Sequence, residues 1–173
     1  MSILSGCNSS VKDDKESELP QIPEHFKTIS IDSIVTFACP KEMLQVENLK
    51  LSGDFQFSNL IDVRYAVLQI DIKEEGLHLK EFTEVKLDDL KRKMVDPTLS
   101  ELEAFTLDKI KGCSTEIESD VYGWPNKLYY WISTIELEDK FVTVIVWTTV
   151  ERVKDFEKDA EIITRSFRLK NID

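Results

Sequence analysis

From Thr28 onward, short apolar-rich runs of strand length, several of them apolar on both faces, recur along the chain and predict a protein built mainly of strands. Ile29, Ile31, Ile34, Val35 and Phe37 form a short β-rich stretch broken at Asp32-Ser33. It predicts a hairpin that ends at Pro40, which has no N–H to give to a ladder. Asp54 to Leu60 and Val63 to Ile72 predict two further strands. The second is apolar on both faces, through Val63, Tyr65 and Val67 and through Ala66, Leu68, Ile70 and Ile72, as expected of a central strand covered twice. Leu79 to Val95 predicts a helix: at 100° per residue Leu79, Phe82, Leu87, Leu90 and Met94 share one arc, and Asp96-Pro97 ends it. A period-2 reading through Thr83, Val85 and Leu87 leaves the start of that helix open.

Leu102 to Ile110 and Thr115 to Val121 predict strands around Gly112, followed by a turn at Gly123-Trp124-Pro125-Asn126. The strongest β signal is the pair Lys127 to Leu137 and Phe141 to Thr149. Both are apolar on both faces, so this hairpin needs cover above and below. Val153, Phe156, Ala160, Ile163 and Phe167 then recur at the spacing of a helix with one buried seam. Thr148 and Glu151 stand where a capping box would start it.

Composition narrows the function classes. In 173 residues, 22 Lys and Arg stand against 33 Asp and Glu, a net charge of −11 that argues against binding nucleic acid or docking on anionic lipid through a basic patch. No stretch approaches the roughly 20 apolar residues of a membrane-spanning helix. His25, His78, Cys7, Cys39 and Cys113 are scattered, which leaves little for a His/Cys metal site or a histidine catalyst. Five glycines and no P-loop, dinucleotide or G-x-S-x-G motif point to no cofactor and no nucleophile elbow.

The remaining chemical candidates are few. Glu116, Glu118 and Asp120 alternate along one strand and could present oxygens to Ca²⁺; the simpler reading is a solvated strand face, because a hard cation wants six to eight converging ligands. Ser114 and Cys113 have no histidine near in sequence, although folding could bring up His78. Asp88-Asp89 beside Lys91-Arg92-Lys93 reads as the wet side of a helix. His25 and His78 read as surface residues. The loop Tyr122-Gly123-Trp124-Pro125 reads either as a recognition surface through Tyr122 and Trp124 or as a turn whose rings cover the edge of the core. Cys39 and Cys113 are either buried thiols or partners in a bridge across strand ends.

At the N-terminus, Leu4-Ser5-Gly6-Cys7 resembles the lipobox of bacterial lipoproteins, in which the cysteine carries the lipid. The polar run from Asn8 to His25 then reads as a disordered acidic tether, reaching up to roughly 50 Å when extended. Only Met1 to Leu4 precede the small residues, so the true start is expected upstream or the chain to be trimmed. This divides the chain into 1–7, a signal remnant; 8–25, a tether; and 26–173, one domain. Ile34-Val35-Thr36-Phe37-Ala38-Cys39-Pro40 and Ile162-Ile163-Thr164-Arg165-Ser166-Phe167 resemble the opening and closing motifs of the PsbP-like and DcrB-like proteins. That resemblance implies an α+β fold, an α/β/α sandwich with a central antiparallel sheet. It also implies members that act by binding or assembly without a shared catalytic residue.

The expectation is a non-catalytic binding or assembly module of the bacterial cell envelope. It would be lipid-anchored through Cys7, with an envelope protein or a small apolar ligand as partner, and cytoplasmic if the lipobox is fortuitous. The alternative is a hydrolase using a carboxylate pair in a cleft. An apolar, aromatic concave surface favours binding, whereas two facing carboxylates favour the enzyme.

Overall fold

The computed structural model describes residues 15–16, 18–31 and 35–169; Cys7 and the lipobox lie outside them. In chain order the elements are β1 (Lys15–Glu16), β2 (Phe26–Ser30), β3 (Val35–Pro40), β4 (Leu44–Gln45), β5 (Phe55–Asn59), β6 (Arg64–Ile72), α1 (Leu79–Lys91), β7 (Met94–Leu99), β8 (Glu103–Leu107), β9 (Ile110–Val121), β10 (Leu128–Glu136), β11 (Lys140–Thr149), a 3₁₀ turn (Val150–Arg152), α2 (Val153–Arg165) and β12 (Arg168–Leu169). The main sheet runs β1-β8-β9-β10-β11-β6-β5-β4, antiparallel except where β1 lies parallel to β8. β7 and β8 share one edge of β9, against Ile117 to Val121 and Ile110 to Ser114 respectively. A small sheet, β12-β3-β2, completes the chain.

The two-faced hairpin β10–β11 sits mid-sheet, and alternate residues feed two cores. Trp131, Ile135, Val142, Val144 and Val146 pack with Phe156, Ala160 and Ile163 of α2 and with Val35, Phe37 and Ala38 of β3. Leu128, Tyr130, Ile132, Ile145 and Trp147 pack with Leu87 and Leu90 of α1. Successive strand residues point to opposite faces, so the two helices cover opposite sides of the sheet. At the start of α1, Phe82 stacks on Phe141 with ring centroids 4.2 Å apart.

Several local expectations are corrected. The first helix stops at Lys91, not Val95; Met94 is still buried on the α1 side, but as the first residue of β7. Asp96-Pro97 lies inside β7, where the register with β9 shifts between Val95 and Thr98. Pro97, which cannot donate, falls in that irregularity.

Gly112 does not interrupt a strand. The turn is at Asp108 and Lys109, both at positive φ (45° and 69°), which joins Leu107 to Ile110 as a two-residue hairpin loop. Gly112 lies opposite Phe105, and a Cβ there would collide with the Phe105 ring, so the missing side chain makes room for it.

The capping box does not form. Thr148 Oγ1 donates to the Val63 carbonyl, and α2 starts from the 3₁₀ turn without a side-chain cap. Phe167 lies just past α2 and is nonetheless fully buried, its ring 6.5 Å from that of Phe37.

Part of the stretch expected as a tether lies against the body. Lys15–Glu16 pairs with Phe105 and Thr106, and the Pro20 carbonyl accepts from Arg168 Nη2 at 2.8 Å. No disulfide joins Cys39 to Cys113, and both are buried. Burial pushes the Cys39 thiol up to about 12.

Candidate functional site

The hairpin register lines up three aromatic rings on the α1 side: Tyr130 of β10 faces Trp147 of β11, which faces Tyr65 of β6. The Tyr65 and Trp147 rings stack at 5.1 Å, and Tyr130 lies 6.1 Å from Trp147. Burial raises both tyrosine hydroxyls above their ordinary value, so they remain neutral phenols at physiological pH.

α1 covers only part of this row. Its 13 residues span about 20 Å, whereas the ten residues of β11 span roughly 33 Å. The helix starts over Phe141 and brings only Leu90, with Met94 just after it, to the Trp147 end.

The loop after β9 closes the other side. Trp124 N–H donates to the Val121 carbonyl, Gly123 takes φ 78°, and the loop folds back across the sheet. The Trp124 ring meets Tyr65 edge-on at 5.6 Å. Lys50, from the segment between β4 and β5, lies with Nζ 5.2 Å above the Trp124 ring and donates to the Gly123 carbonyl. Tyr122 is 76% exposed at the mouth.

Between these parts is a pocket of about 440 Å³ lined mainly by Leu51, Leu90, Met94, Trp124, Tyr130 and Trp147, with Lys50 and Lys93 also at its wall. This lies within the size range of small-molecule sites. It can hold an apolar group against rings and aliphatic side chains.

Both residues singled out as a recognition surface, Tyr122 and Trp124, line this pocket. Sequence reasoning missed its floor, reading Tyr130, Trp147 and Tyr65 as core, and missed Lys50, Leu51, Leu90, Lys93 and Met94. One available signal was the register of the hairpin, which sets Tyr130 opposite Trp147 once its three-residue connection is recognised.

The other candidates are distributed elsewhere. Glu116 and Glu118 look towards the α2 side of β9, where Glu116 accepts from the Tyr129 hydroxyl and Glu118 from Lys127 Nζ. Burial first, then the bond to Glu116, raises the Tyr129 hydroxyl. Glu116, Glu101, Glu103 and Glu161 line a smaller, more polar groove of about 180 Å³ with Ser114 and Arg165, under the last turn of α2. His78 instead stands at the exposed start of α1. His25 is exposed but has a partner, Asp159 of α2, at 3.3 Å. Lys91 and Arg92 pair with Asp88 and Asp89, as the wet helix side requires.

No family model matches the chain, and no curated protein matches it. Solved structures do. Over 84% of this chain and 93% of the other, it superposes on the solution structure of cyanobacterial PsbP (CyanoP) from Synechocystis with a TM-score of 0.66 at 17% identity. The fold is PsbP-like. The Ran-binding protein Mog1p of Saccharomyces cerevisiae shares it with a TM-score of 0.56 at 10% identity, over 83% of this chain and 95% of that one. Both comparisons cover more than four-fifths of this chain, so the PsbP-like fold describes the scaffold as a whole. The pocket itself is built from this chain's own side chains.

Proposed function

We propose that this chain is a non-catalytic binding module with a PsbP-like fold, and that its recognition site is the pocket between the Trp124 loop and the end of α1. The observation that carries the reading is that the larger concavity is walled by Trp147, Tyr130, Trp124, Leu90 and Met94, with no carboxylate in its lining. Mog1p, a neighbour in fold, is a Ran-binding protein, which supports reading this scaffold as one used for recognition. Packing of α1 and α2 against alternate residues of the central hairpin supports reading the fold as the α/β/α layering that the resemblance implies.

We also propose, from the likeness of Leu4-Ser5-Gly6-Cys7 to a lipobox, that the module belongs to the bacterial cell envelope and is anchored through a lipid on Cys7. With Lys15 held at β8, the eight residues from Cys7 to Lys15 allow at most about 28 Å between the lipid-bearing residue and that sheet edge. In the native host Cys7 then carries a lipid mass, and Cys7→Ser releases the protein from the detergent phase. An unlipidated Cys7 in the native host removes the anchor and returns the module to the cytoplasm.

The binding reading is tested with the neutral apolar dye Nile red on the full chain. Saturable one-site binding that is lost when Leu51→Trp fills the pocket mouth supports it. Binding that Leu51→Trp leaves unchanged places the dye elsewhere and rejects the pocket as the site.

A further inference from the structure

The pocket has a charge pattern unlike that of the whole chain. Acidic residues outnumber basic ones 33 to 22, yet the lining contains two lysines, Lys50 and Lys93, and no Asp or Glu. The two lysines come from separate elements, the β4–β5 segment and the turn after α1, and both are exposed. Some lysines elsewhere are paired, Lys73 with Glu136, Lys86 with Asp71, Lys91 with Asp88 and Lys127 with Glu118, so their charge is already answered. Among the described residues neither Lys50 nor Lys93 has a carboxylate partner, and the polar bond seen at Lys50 goes to the Gly123 carbonyl.

We propose that the pocket takes a single-chain anionic amphiphile, its apolar body against Trp147, Tyr130, Leu90 and Met94 and its negative head on Lys50 and Lys93. This rests on the reading of the pocket as the recognition site and adds the chemistry of the ligand. The volume, about 440 Å³, lies in the range of small-ligand sites and has room for an apolar body of about a dozen heavy atoms. An ammonium ligand would use the face of Trp124, but Lys50 already occupies that position. The site is a half-open concavity of a size for one small molecule, whereas a bilayer surface would need an apolar protrusion.

The test compares decanoate, decanol and decyltrimethylammonium, each below its micellar concentration, by calorimetry on the full chain. Decanoate is expected to bind about tenfold or more tighter than the cation, the effect of one or two charge-assisted bonds. The double variant Lys50→Glu, Lys93→Glu is expected to reverse that order, each affinity being read relative to the same variant's decanol binding because Lys50 also contacts the Trp124 loop, and Lys93→Glu alone is expected to narrow it. Equal or tighter binding of the cation by the parent chain, or decanoate affinity indifferent to the charge reversal, overturns the proposal even if decanol binds. Binding to phosphatidylglycerol vesicles without any response to monomeric decanoate also overturns it. If none of the three amphiphiles binds, the pocket reading itself fails, a different outcome from a wrong choice of charge.

Discussion

The ring of Tyr65 lies 5.1 Å from that of Trp147 and within 14° of parallel, while its edge receives Trp124. Tyr65 stands on β6, whereas Trp124 stands on the loop joining β9 to β10, so one tyrosine ties a loop to a strand at the other side of the central hairpin. The wall of the pocket is therefore held by the same contact that packs the sheet.

Tyr65→Ala is expected to remove both contacts and to cost about 3 kcal/mol or more, as truncation of a buried aromatic does. It should also loosen the Trp124 loop, seen as a loss of near-ultraviolet circular dichroism. Tyr65→Phe keeps both ring contacts and should hold the melting temperature close to the parent value.

Ser166, at the end of α2, accepts the Ala38 N–H through Oγ at 2.7 Å, inside the protein. Ser166→Ala leaves a buried donor without its acceptor and is expected to cost about 1–3 kcal/mol. Denaturant titration reads the loss, and amide exchange at Ala38 should accelerate more than at its strand neighbours.

Phe156 of α2 is fully buried, edge-on to Trp131 at 5.9 Å. Phe156→Ala is expected to cost about 3–5 kcal/mol. For a chain of this length that is a fall of several degrees in melting temperature. An unchanged melting temperature would make α2 peripheral, against the packing observed.

The Cys39 thiol is pushed up from 9.0 to about 12 by burial, so the native state favours its neutral form. Its contribution to stability is complete below pH 9, where the unfolded thiol is also neutral. It is lost as pH rises from about 9 towards 12, where only the unfolded chain ionises readily. Tyr65 and Tyr130, raised by burial, act in the same direction. Cys39→Ala should therefore flatten part of the alkaline loss of stability in urea titrations between pH 8 and 11. An identical pH profile in the variant would show that the thiol ionises as easily in the native state.

Some of this architecture is legible in the sequence because the signals are local and redundant. The hairpin of β10 and β11 announces itself through apolar residues on both faces, and α2 through the 3-4-3-4 spacing from Val153 to Phe167, even though Phe167 falls beyond the helix end. The misplaced turn has a definite cause: Asp108-Lys109 takes positive φ without glycine, while Gly112, the expected breaker, is in the strand because Phe105 fills its side-chain space. The strand through Pro97 was hidden because a register shift absorbs the missing donor, which no periodicity reveals. At the site, the exposed Tyr122 and the loop Trp124 stood out by residue type. Tyr130 and Trp147 read as ordinary core, since where α1 stops relative to the sheet is a tertiary fact.

The most direct measurement is a titration of ¹⁵N-labelled protein with decanoate, and separately with decanol, following the three tryptophan indole N–H signals. Trp124 and Trp147 line the pocket, whereas Trp131 packs on Phe156 at the opposite face. The account predicts saturable shifts of the Trp124 and Trp147 signals with Trp131 unmoved. Shifts centred on Trp131, or no shift at any of the three with either amphiphile, would contradict it.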